Sequence, residues 1–399
     1  MSSSVKKEFL DLGRHPIANA FLKNKSDFDN EFIFDLKVCW DEETKLVSIK
    51  NFVEPERIFN EDYPYDTSNS FPMMKHFFDT AEMLNKRFQP KNVLEIGSNS
   101  GPFIENFNRL NSICVEPCDN FAKVTGNMGY KTYTDFWTTE LSDKIKDENG
   151  ERDLIYAANC ICHIHDLDDT FKAVANLLSD DGVFVFEDPS LHKILERGSY
   201  DQIYDEHPYI FSVTALDNLL KRNGLIIFDV DNLSVHGGSN RIYAKKPNTP
   251  SNNTISHNVL QNLRKEDDFG INNFETYETF AKRVQFSKEE LMRCLSNLRH
   301  NGKKIMCIGA TAKSTTVFNY CGIGTDLIDV ITDTTIDKQN TFAPGSHIPV
   351  VSPEDVDMLD YDYAYLGAWN FKDVIMKNQK EFIQNGGKFI SHIPKVDTF

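Results

Sequence analysis

The chain has 399 residues, too many for one ordinary hydrophobic core, and its 40% hydrophobic and 26% charged content is that of a globular protein of two or three domains. A net charge of -17, spread along the sequence, argues against a nucleic-acid surface, so any anionic ligand has to be met by a few local basic residues. No basic segment leading into an apolar stretch opens the chain, and no apolar run approaches the ~20 residues that span a bilayer, so a cytoplasmic protein with no membrane partner is expected.

Residues 1–72 form a first segment of short strands and turns, entered through the Pro-interrupted DLGRHPIANAF (11–21). It ends in EDYPYDTSNS (61–70), an aromatic and hydroxyl-rich stretch without amphipathic period, hence a loop. Its tyrosines are large groups to leave wet and are suited to lining a pocket against the next domain. FPMMKHFFDTAEMLNKRF (71–88) has helical spacing and leads into NVLEIGSNSG (92–101). There a short apolar strand gives way to a turn bracketed by Gly97 and Gly101, with a helix expected from about Pro102.

The alternation continues with a strand over 112–116, a helix from about 119 and strands near 130–133 and 153–158. A helix over 168–178, the strand GVFVFED (182–188) and a helix over 212–223 follow, and LIIFDV and RIYAKK close the unit as an antiparallel edge. Regular β/α alternation over 73–245 predicts a doubly wound, Rossmann-like α/β domain. A Pro, Asn, Ser and Thr-rich linker and helical spacing occupy 246–300, including a capping-type start at SKEEL (Ser287). A second, smaller α/β unit over 301–399 opens with KKIMCIGATAKST (303–315), and its second strand, LIDVITD, ends in Asp333.

Strands of open α/β sheets bind ligands at their carboxyl ends, which makes the Gly97 turn a ligand loop. Glu116, about 20 residues after Glu95, ends the next strand at the spacing from which an acidic side chain reaches ribose hydroxyls. The third glycine of a dinucleotide fingerprint is missing, which favours an adenosyl ligand without phosphate, and S-adenosylmethionine fits that description. Over the same sheet edge, QIYDEHPY (202–209) supplies a phenol, a carboxylate and an imidazole in Tyr204, Glu206 and His207, the parts of an acid/base site. A solvated turn is the bland alternative for such a tetrad. His236, in a Gly-Gly turn with Arg241 as an exposed charge, carries a weaker signal, as do His163 and His165, which are of a type to ligate a metal but, without further partners, are expected to shape the loop. Lys313, at a helix start, suits a diphosphate as well as it suits solvent.

The eight cysteines lack the C-x2-C spacing of a zinc ribbon, and several fall in core strands as free thiols. No metal site is expected from them.

In order, DLGRHPIANAF, EDYPYDTSNS, NVLEIGSNSG, CVEPCDN, NCICHIHD, IYDEHPY, VHGGSNR, IGATAKSTTVFNYCGIG, APGSHIPVVSPED and LGAWNF resemble the nucleotide-sugar C-methyltransferases of deoxysugar biosynthesis over nearly the whole chain. The resemblance implies an amino-terminal zinc-binding segment, a central S-adenosylmethionine domain and a carboxy-terminal domain that completes a sugar-nucleotide site. It implies catalysis by His207 as base, with Tyr204, Glu206, Tyr63 and Tyr65 placing it and holding an enolate oxygen. Cofactor contacts fall to Glu95, Gly97, Asn99, Gly101, Glu116, Pro117, Asn120 and Asn159. Substrate contacts fall to Ser68, His163, His236, Gly238, Ser239, Arg241, Lys313 and Ser314, in a monomer or homodimer.

Two departures bear on this. Only Cys39 remains of the family's four zinc cysteines, with Glu42 at its partner's place, which leaves zinc without its ligand set. Ser100 stands where the family loop has Asp. If that change ruins methyl delivery, the same residues would epimerise the carbon, and a non-catalytic sugar-nucleotide or cofactor-binding protein is the reading from another class.

Overall fold

A computed structural model describes residues 6–61, 63–249 and 254–399. The amino-terminal strands β1 (Lys6–Pro16), β2 (Ile33–Asp41) and β3 (Val47–Ile49) form an antiparallel sheet, and a single helical turn, α1 (Pro55–Ile58), follows. Apolar side chains of these strands, among them Leu36, Val38, Trp40 and Ile49, are fully buried and supply the inner face.

The central domain comprises α2 (Phe71–Phe88), β4 (Val93–Ile96), β5 (Ser112–Val115), α3 (Asp119–Asn127), β6 (Lys131–Tyr133), α4 (Thr139–Asn149), β7 (Arg152–Ala158), α5 (Leu167–Leu177), β8 (Leu178–Pro189) and α6 (Leu191–Arg197). After the two-residue β9 (Tyr209–Ile210) come α7 (Val213–Arg222), β10 (Ile226–Leu233) and β11 (Ser239–Lys245). Its sheet order is β10-β11-β8-β7-β4-β5-β6. Strands β4 to β8 run parallel, and β10 and β11 form the expected antiparallel edge, with β11 inserted beside β8. Both faces are covered by separate apolar clusters, one around Ile155, Phe171 and Phe184 and the other around Leu94's neighbours Val93, Phe103 and Tyr156.

β9 leaves this domain and pairs with β3, so the segment before it, 200–208, is drawn under the amino-terminal sheet. The long α9 (Phe274–His300), preceded by α8 (His257–Phe269), then leads into β12 (Ile305–Ile308) and α10 (Ala312–Cys321). The rest is β13 (Ile331–Thr332), β14 (Thr341–Phe342), β15 (Pro349–Val351), β16 (Tyr363–Leu366), α11 (Lys372–Asn378), α12 (Lys380–Gln384), β17 (Lys388–Ser391) and β18 (Asp397–Thr398). This second sheet has the order β14-β15-β13-β12-β16-β17-β18 with a parallel centre. Trp40 and Leu36 of the first sheet, Tyr277 and Phe280 of α9 and Val317 of α10 share one apolar core with it. The two ends of the chain thus close over the central domain's ligand-binding edge.

Three sequence expectations are corrected. No α-helix starts at Pro102; only a 3-10 turn, Ile104–Asn106, follows the glycine turn, because the buried Glu95 carboxylate takes the Ile104 N–H (3.1 Å) and bends the chain. Ser287 starts nothing, since α9 runs unbroken through it, carried by Val284 and Leu291 on one buried stripe. Helix α4 was not anticipated: its Leu141 and Ile145 are its only buried aliphatic residues among many charged ones.

Candidate active site

Gly97 sits at φ +68°, and a Cβ there would stand 2.7 Å from Cys160 Sγ, so the β4 turn approaches the neighbouring loop as only glycine allows. Beside it, the buried Glu116 carboxylate accepts the Asn99 N–H at Oε2 (2.7 Å) and the Cys118 N–H at Oε1 (2.9 Å). Each carboxylate oxygen has two acceptor sites, so Glu116 keeps capacity for two further donors. Asn99 in turn ties down the aromatic loop: its Oδ1 accepts the Thr67 N–H (3.0 Å) and its Nδ2 donates to Tyr65 O (2.8 Å). Ser100 does similar work, its Oγ donating to Asp66 Oδ1 at 2.7 Å. Serine at that position therefore fastens the loop over the cavity.

The cavity so enclosed measures about 360 Å³, within the range of small-molecule sites. Gly97, Asn99, Glu116, Pro117, Asn159, Glu95, Tyr63, Tyr65 and His163 line it. Ser98 Oγ is buried nearby with no partner, a polar atom for a ligand to satisfy. Phe136, Trp137 and Thr138, from the turn after β6, form a wall that sequence reasoning missed, although two aromatics after a strand end were a readable signal.

Two expected cofactor contacts lie elsewhere. Gly101 is turned toward Thr125, whose methyl a Cβ would meet at 3.0 Å, and Asn120 lines a neighbouring surface cavity, its Nδ2 donating to Tyr63 O (3.4 Å). The missing helix after Pro102 is the reason for the first, since the turn folds back onto α3.

The QIYDEHPY segment is buried at the junction of all three parts of the chain. His207 is 6% exposed and donates from Nδ1 to Gln202 O (2.7 Å), which leaves the lone pair on Nε2. Burial, reinforced by the neighbouring His163, holds its pKa well below the usual range, so it is a neutral imidazole. His163 lines the cofactor cavity, and its ring lies 5.2 Å from that of His207, while Tyr204 packs on the other side at 4.1 Å. Burial brings His163 down to about 3, and its Nε2 has no partner.

Glu206 does not touch the histidine. Consecutive side chains of the turn point apart, and its oxygens accept from Asn19 Nδ2 (2.5 Å) and Tyr63 OH (3.0 Å), with burial raising its pKa. The group that orients His207 is the backbone carbonyl of Gln202, which carries no signature in a sequence.

The expected substrate residues divide. Arg241 is not an exposed charge: it is 7% exposed, donating from Nε to Glu187 (2.7 Å) and from its terminal nitrogen to Thr80 (2.6 Å), because β11 sits inside the sheet. Ser239 donates to Val235 O (3.2 Å), and Ser314 is engaged in the cap of α10 with Thr311. Those three are structural. Ser68 is exposed and bonds Asp66 (2.7 Å). Gly238 packs against Lys193, and the half-buried His236, in the same turn, has a buried Nε2 without a partner.

A larger cavity, about 790 Å³, opens between the central and carboxy-terminal domains. Tyr65, Asp66 and Phe71 line one side and Gly309, Thr311, Asp333 and Lys338 the other, and Tyr65 belongs to both cavities. Asp333 repeats the Glu116 arrangement, accepting the Ala310 N–H (2.7 Å) and the Thr335 N–H (2.8 Å). Lys313, half-buried on the first turn of α10, is not among its lining residues.

Comparison with known proteins fixes the family. The chain is 31% identical over 398 residues to the C-methyltransferase NovU of Streptomyces niveus, covering 97% of this chain and 93% of that protein. It belongs to the C-methyltransferases. Family profiles for a methyltransferase domain match residues 76–229, for a C-methyltransferase C-terminal domain residues 234–394, and for a zinc-binding domain residues 2–59. Among solved structures, the PH0226 protein of Pyrococcus horikoshii OT3 is similar at 17% identity, 49% of this chain, all of that one and a TM-score of 0.36. A S-adenosylmethionine-dependent methyltransferase of Clostridium acetobutylicum is similar at 17% identity, 43% and 92% coverage and a TM-score of 0.34. The methyltransferase uses S-adenosylmethionine, and its 360 Å³ cavity, with Glu116 open to hydroxyl donors and Ser98 unpartnered, fits that cofactor.

Zinc does not fit the amino-terminal segment. Residues 2–59 contain one cysteine, Cys39, and one histidine, His15. Cys39 is level with Glu8 on β1, seven residues from His15, so the two lie roughly 20 Å apart along the strand. Glu42 is ion-paired to Lys7 (2.6 Å), and Lys37 and Lys50 bind Glu8 and Asp11, so charge pairs hold this sheet. Beside the cavity, ligand atoms of Cys162, His163 and His207 lie within 4.8 Å of one another. Burial and Asp188 push the Cys162 thiol far up, the reverse of the thiolate a metal needs. Among the described residues no helix is long and apolar enough to cross a membrane.

Proposed function

We propose that this C-methyltransferase acts in the cytoplasm on a nucleoside-diphosphate keto-deoxysugar, with His207 as the base that forms an enolate. The observation that carries the reading is the Gln202–His207 hydrogen bond, which fixes the neutral tautomer with its Nε2 lone pair one ring behind the cofactor cavity. A carbonyl acidifies the adjacent C–H. His207 takes that proton at Nε2, the C–H pair moves into the new C=C bond, and the carbonyl π pair moves onto oxygen. When bound, S-adenosylmethionine supplies an electrophilic methyl group on sulfur. The enolate carbon bonds that methyl as its C–S pair returns to sulfur, and the ketone re-forms. Tyr204, whose ring packs tilted on that of His207 at 4.1 Å, places the imidazole, and Tyr63, held by Glu206, closes the space nearby.

The 790 Å³ cavity suits the nucleoside diphosphate: Asp333 matches the hydroxyl-reading geometry of Glu116, and Lys338 is a buried cation on its wall. Tyr65, shared by both cavities, marks where sugar and methyl donor meet. Ser68, on the adjacent loop, and His236 and Gly238, on the β10–β11 turn, are assigned to the sugar's surroundings.

The test is incubation with methyl-labelled S-adenosylmethionine and a panel of keto-deoxysugar nucleotides, followed by solvent deuterium exchange at the carbon next to the ketone without methyl donor. His207→Asn should bind the cofactor normally and lower exchange on the order of 10² to 10⁴-fold. Exchange at the parental rate would show that the proton goes elsewhere. An enzyme that exchanges but never methylates would be an epimerase, and one that does neither only a binding protein.

A further inference from the structure

Trp369 joins the wall of the larger cavity to the turn that orients His207. It lies on a 3-10 turn, Trp369–Phe371, between β16 and α11, and its neighbours Ala368 and Phe371 line the cavity of about 790 Å³. The indole stands directly behind that wall: 9% exposed, it shares one apolar cluster with Ile308, Ile375 and Phe382, which line the cavity. From there it reaches the central domain at two points. A Cβ on Gly237 would stand 2.5 Å from its ring, so the ring is wedged against the turn between β10 and β11. Its Nε1–H donates to Asp201 Oδ2 at 2.5 Å.

Asp201 has little else to hold it. Its side chain is fully buried, its Oδ1 has no partner, and His392 Nε2 stands off at 3.6 Å. Among the described residues the indole is therefore the one hydrogen-bond donor to this carboxylate. Leaving a buried acceptor without its donor costs more than the bond itself contributes, so Asp201, and the turn Tyr200–Gln202 that carries it, stay with the indole. The next residue of that turn is Gln202, whose carbonyl accepts the His207 Nδ1–H at 2.7 Å. Cavity wall, indole, Asp201, Gln202 and imidazole form one continuous line of contacts.

At the wall end, the stretch that carries Trp369 leans on a second cavity-lining turn. Thr311 Oγ1 donates to Gly367 O (3.0 Å), and a Cβ on Gly309 would stand 2.8 Å from that of Ala368. An occupant of the cavity therefore meets this stretch both directly, at Ala368 and Phe371, and through Gly309 and Thr311. We propose that Trp369 is a positioning residue: a nucleotide packed on Ala368 and Phe371 fixes the indole on Asp201, and through Gln202 it fixes His207 for proton removal. The nucleotide is then an activator of the base as well as a handle for the sugar. Binding energy from a remote, non-reacting part of the substrate is used to order the group that reacts.

This coupling rests on the keto-sugar reading, and the experiment separates the two. The full-length chain and Trp369→Phe, which keeps an aromatic ring and loses the donor, are compared for solvent deuterium exchange without methyl donor. The substrates are keto-deoxysugars carried on uridine, cytidine, guanosine or thymidine diphosphate. With one that the parent exchanges, Trp369→Phe should lower the saturated rate roughly 3- to 30-fold, with KM and the calorimetric affinity for the nucleoside monophosphate within about twofold of the parent's. The two halves of the substrate, keto-sugar 1-phosphate and nucleoside monophosphate, then read the coupling itself. Adding the monophosphate should raise the parent's exchange of the sugar phosphate at least about threefold and leave that of Trp369→Phe unchanged, a difference that a merely structural tryptophan would not produce. If Trp369→Phe fails to fold, Asp201→Asn, which replaces the carboxylate acceptor by an amide, takes its place and should show a smaller stimulation than the parent. Parental exchange in Trp369→Phe overturns the assignment, as does equal stimulation in parent and variant. Monophosphate affinity lost in Trp369→Phe also overturns it, since the indole would then be part of the nucleotide's wall. A parent that exchanges an intact keto-sugar nucleotide yet gains nothing from the separate monophosphate removes the coupling alone. One that exchanges no keto-sugar nucleotide removes the substrate reading, and the coupling with it.

Discussion

Replacing Glu116 by Ala isolates what the cofactor cradle contributes. In the parent, two of the carboxylate's four acceptor sites are filled by the Asn99 and Cys118 N–H groups at 2.7 and 2.9 Å, leaving two for ribose hydroxyls. Hydrogen bonds to a charged acceptor contribute ~1.5 to 3 kcal/mol each, so losing both ribose contacts amounts to roughly 3 to 6 kcal/mol, a fall in affinity on the order of 10² to 10⁴-fold. Freeing the Asn99 N–H loosens the same turn that clamps Tyr65 and Thr67, which adds to the loss. Burial raises the Glu116 pKa, so the parent's own affinity should weaken as pH falls and the acceptor takes a proton. Titration calorimetry with S-adenosylmethionine at neutral pH reads the difference directly. A dissociation constant within about threefold of the parent's, less than ~1 kcal/mol, would refute the assignment of Glu116 to the ribose.

Purified protein should contain no stoichiometric zinc in its amino-terminal segment, because one cysteine on β2, level with the start of β1, and one histidine near the end of β1 cannot supply a closed four-ligand site. Elemental analysis of the full chain and of Cys39→Ser checks this, and one zinc lost in the variant would contradict it. His15, 3% exposed, is held at about 4 by burial. The unfolded chain takes up that proton near pH 6.5 while the folded one does not, so this histidine's contribution is lost as pH falls from 6.5 toward 4. Relative to His15→Gln, the parent should lose about 2 kcal/mol of unfolding free energy between pH 7.5 and 5, read by urea denaturation at each pH. Equal losses in both proteins would show that His15 titrates normally.

The architecture was legible wherever burial imposes a period. The runs VLEI, SICV and LIYAA announce parallel strands because both faces of the central sheet are covered. Glu116 and Gly97 were legible because their spacing answers to a strand, a turn and a strand. Helix α4 was not, since its exposed face carries most of its residues and only Leu141 and Ile145 among its aliphatics are buried. Sequence placed Tyr204, Glu206 and His207 together yet misassigned how they connect, because the orienting partner of His207 is a main-chain carbonyl and the partners of Glu206 come from residues 187 and 143 positions away. For Lys313 a diphosphate and solvent suited the sequence equally; the packing of its neighbour Ala312 on Tyr204 is a contact 108 residues apart in sequence that no local pattern encodes.

The same kind of contact explains why segment 200–208 needs three domains. Segment 200–208 has no regular ladder of its own beyond a 3-10 turn, and its polar groups are buried, so several of them are met from outside the segment, while Asp201 Oδ1, Gln202 Oε1 and Asp205 Oδ2 have no protein partner. The amino-terminal segment supplies the Ala18 N–H to Asp205 (2.9 Å) and Asn19 to Glu206. The carboxy-terminal domain supplies Trp369 to Asp201 and Thr316 to the Ile203 carbonyl. Only inside the segment is the bond that matters to the base, Gln202 to His207, made locally. A central domain standing alone would keep Gly97, Asn99 and Glu116 on the turns after β4 and β5 but would lose the cavity wall that Pro55, Phe59 and Tyr63 supply, and segment 200–208 would lose those outside partners. The two places therefore depend on the chain differently: the glycine turn and Glu116 belong to one sheet edge, whereas segment 200–208 depends on the closure of both terminal domains over it.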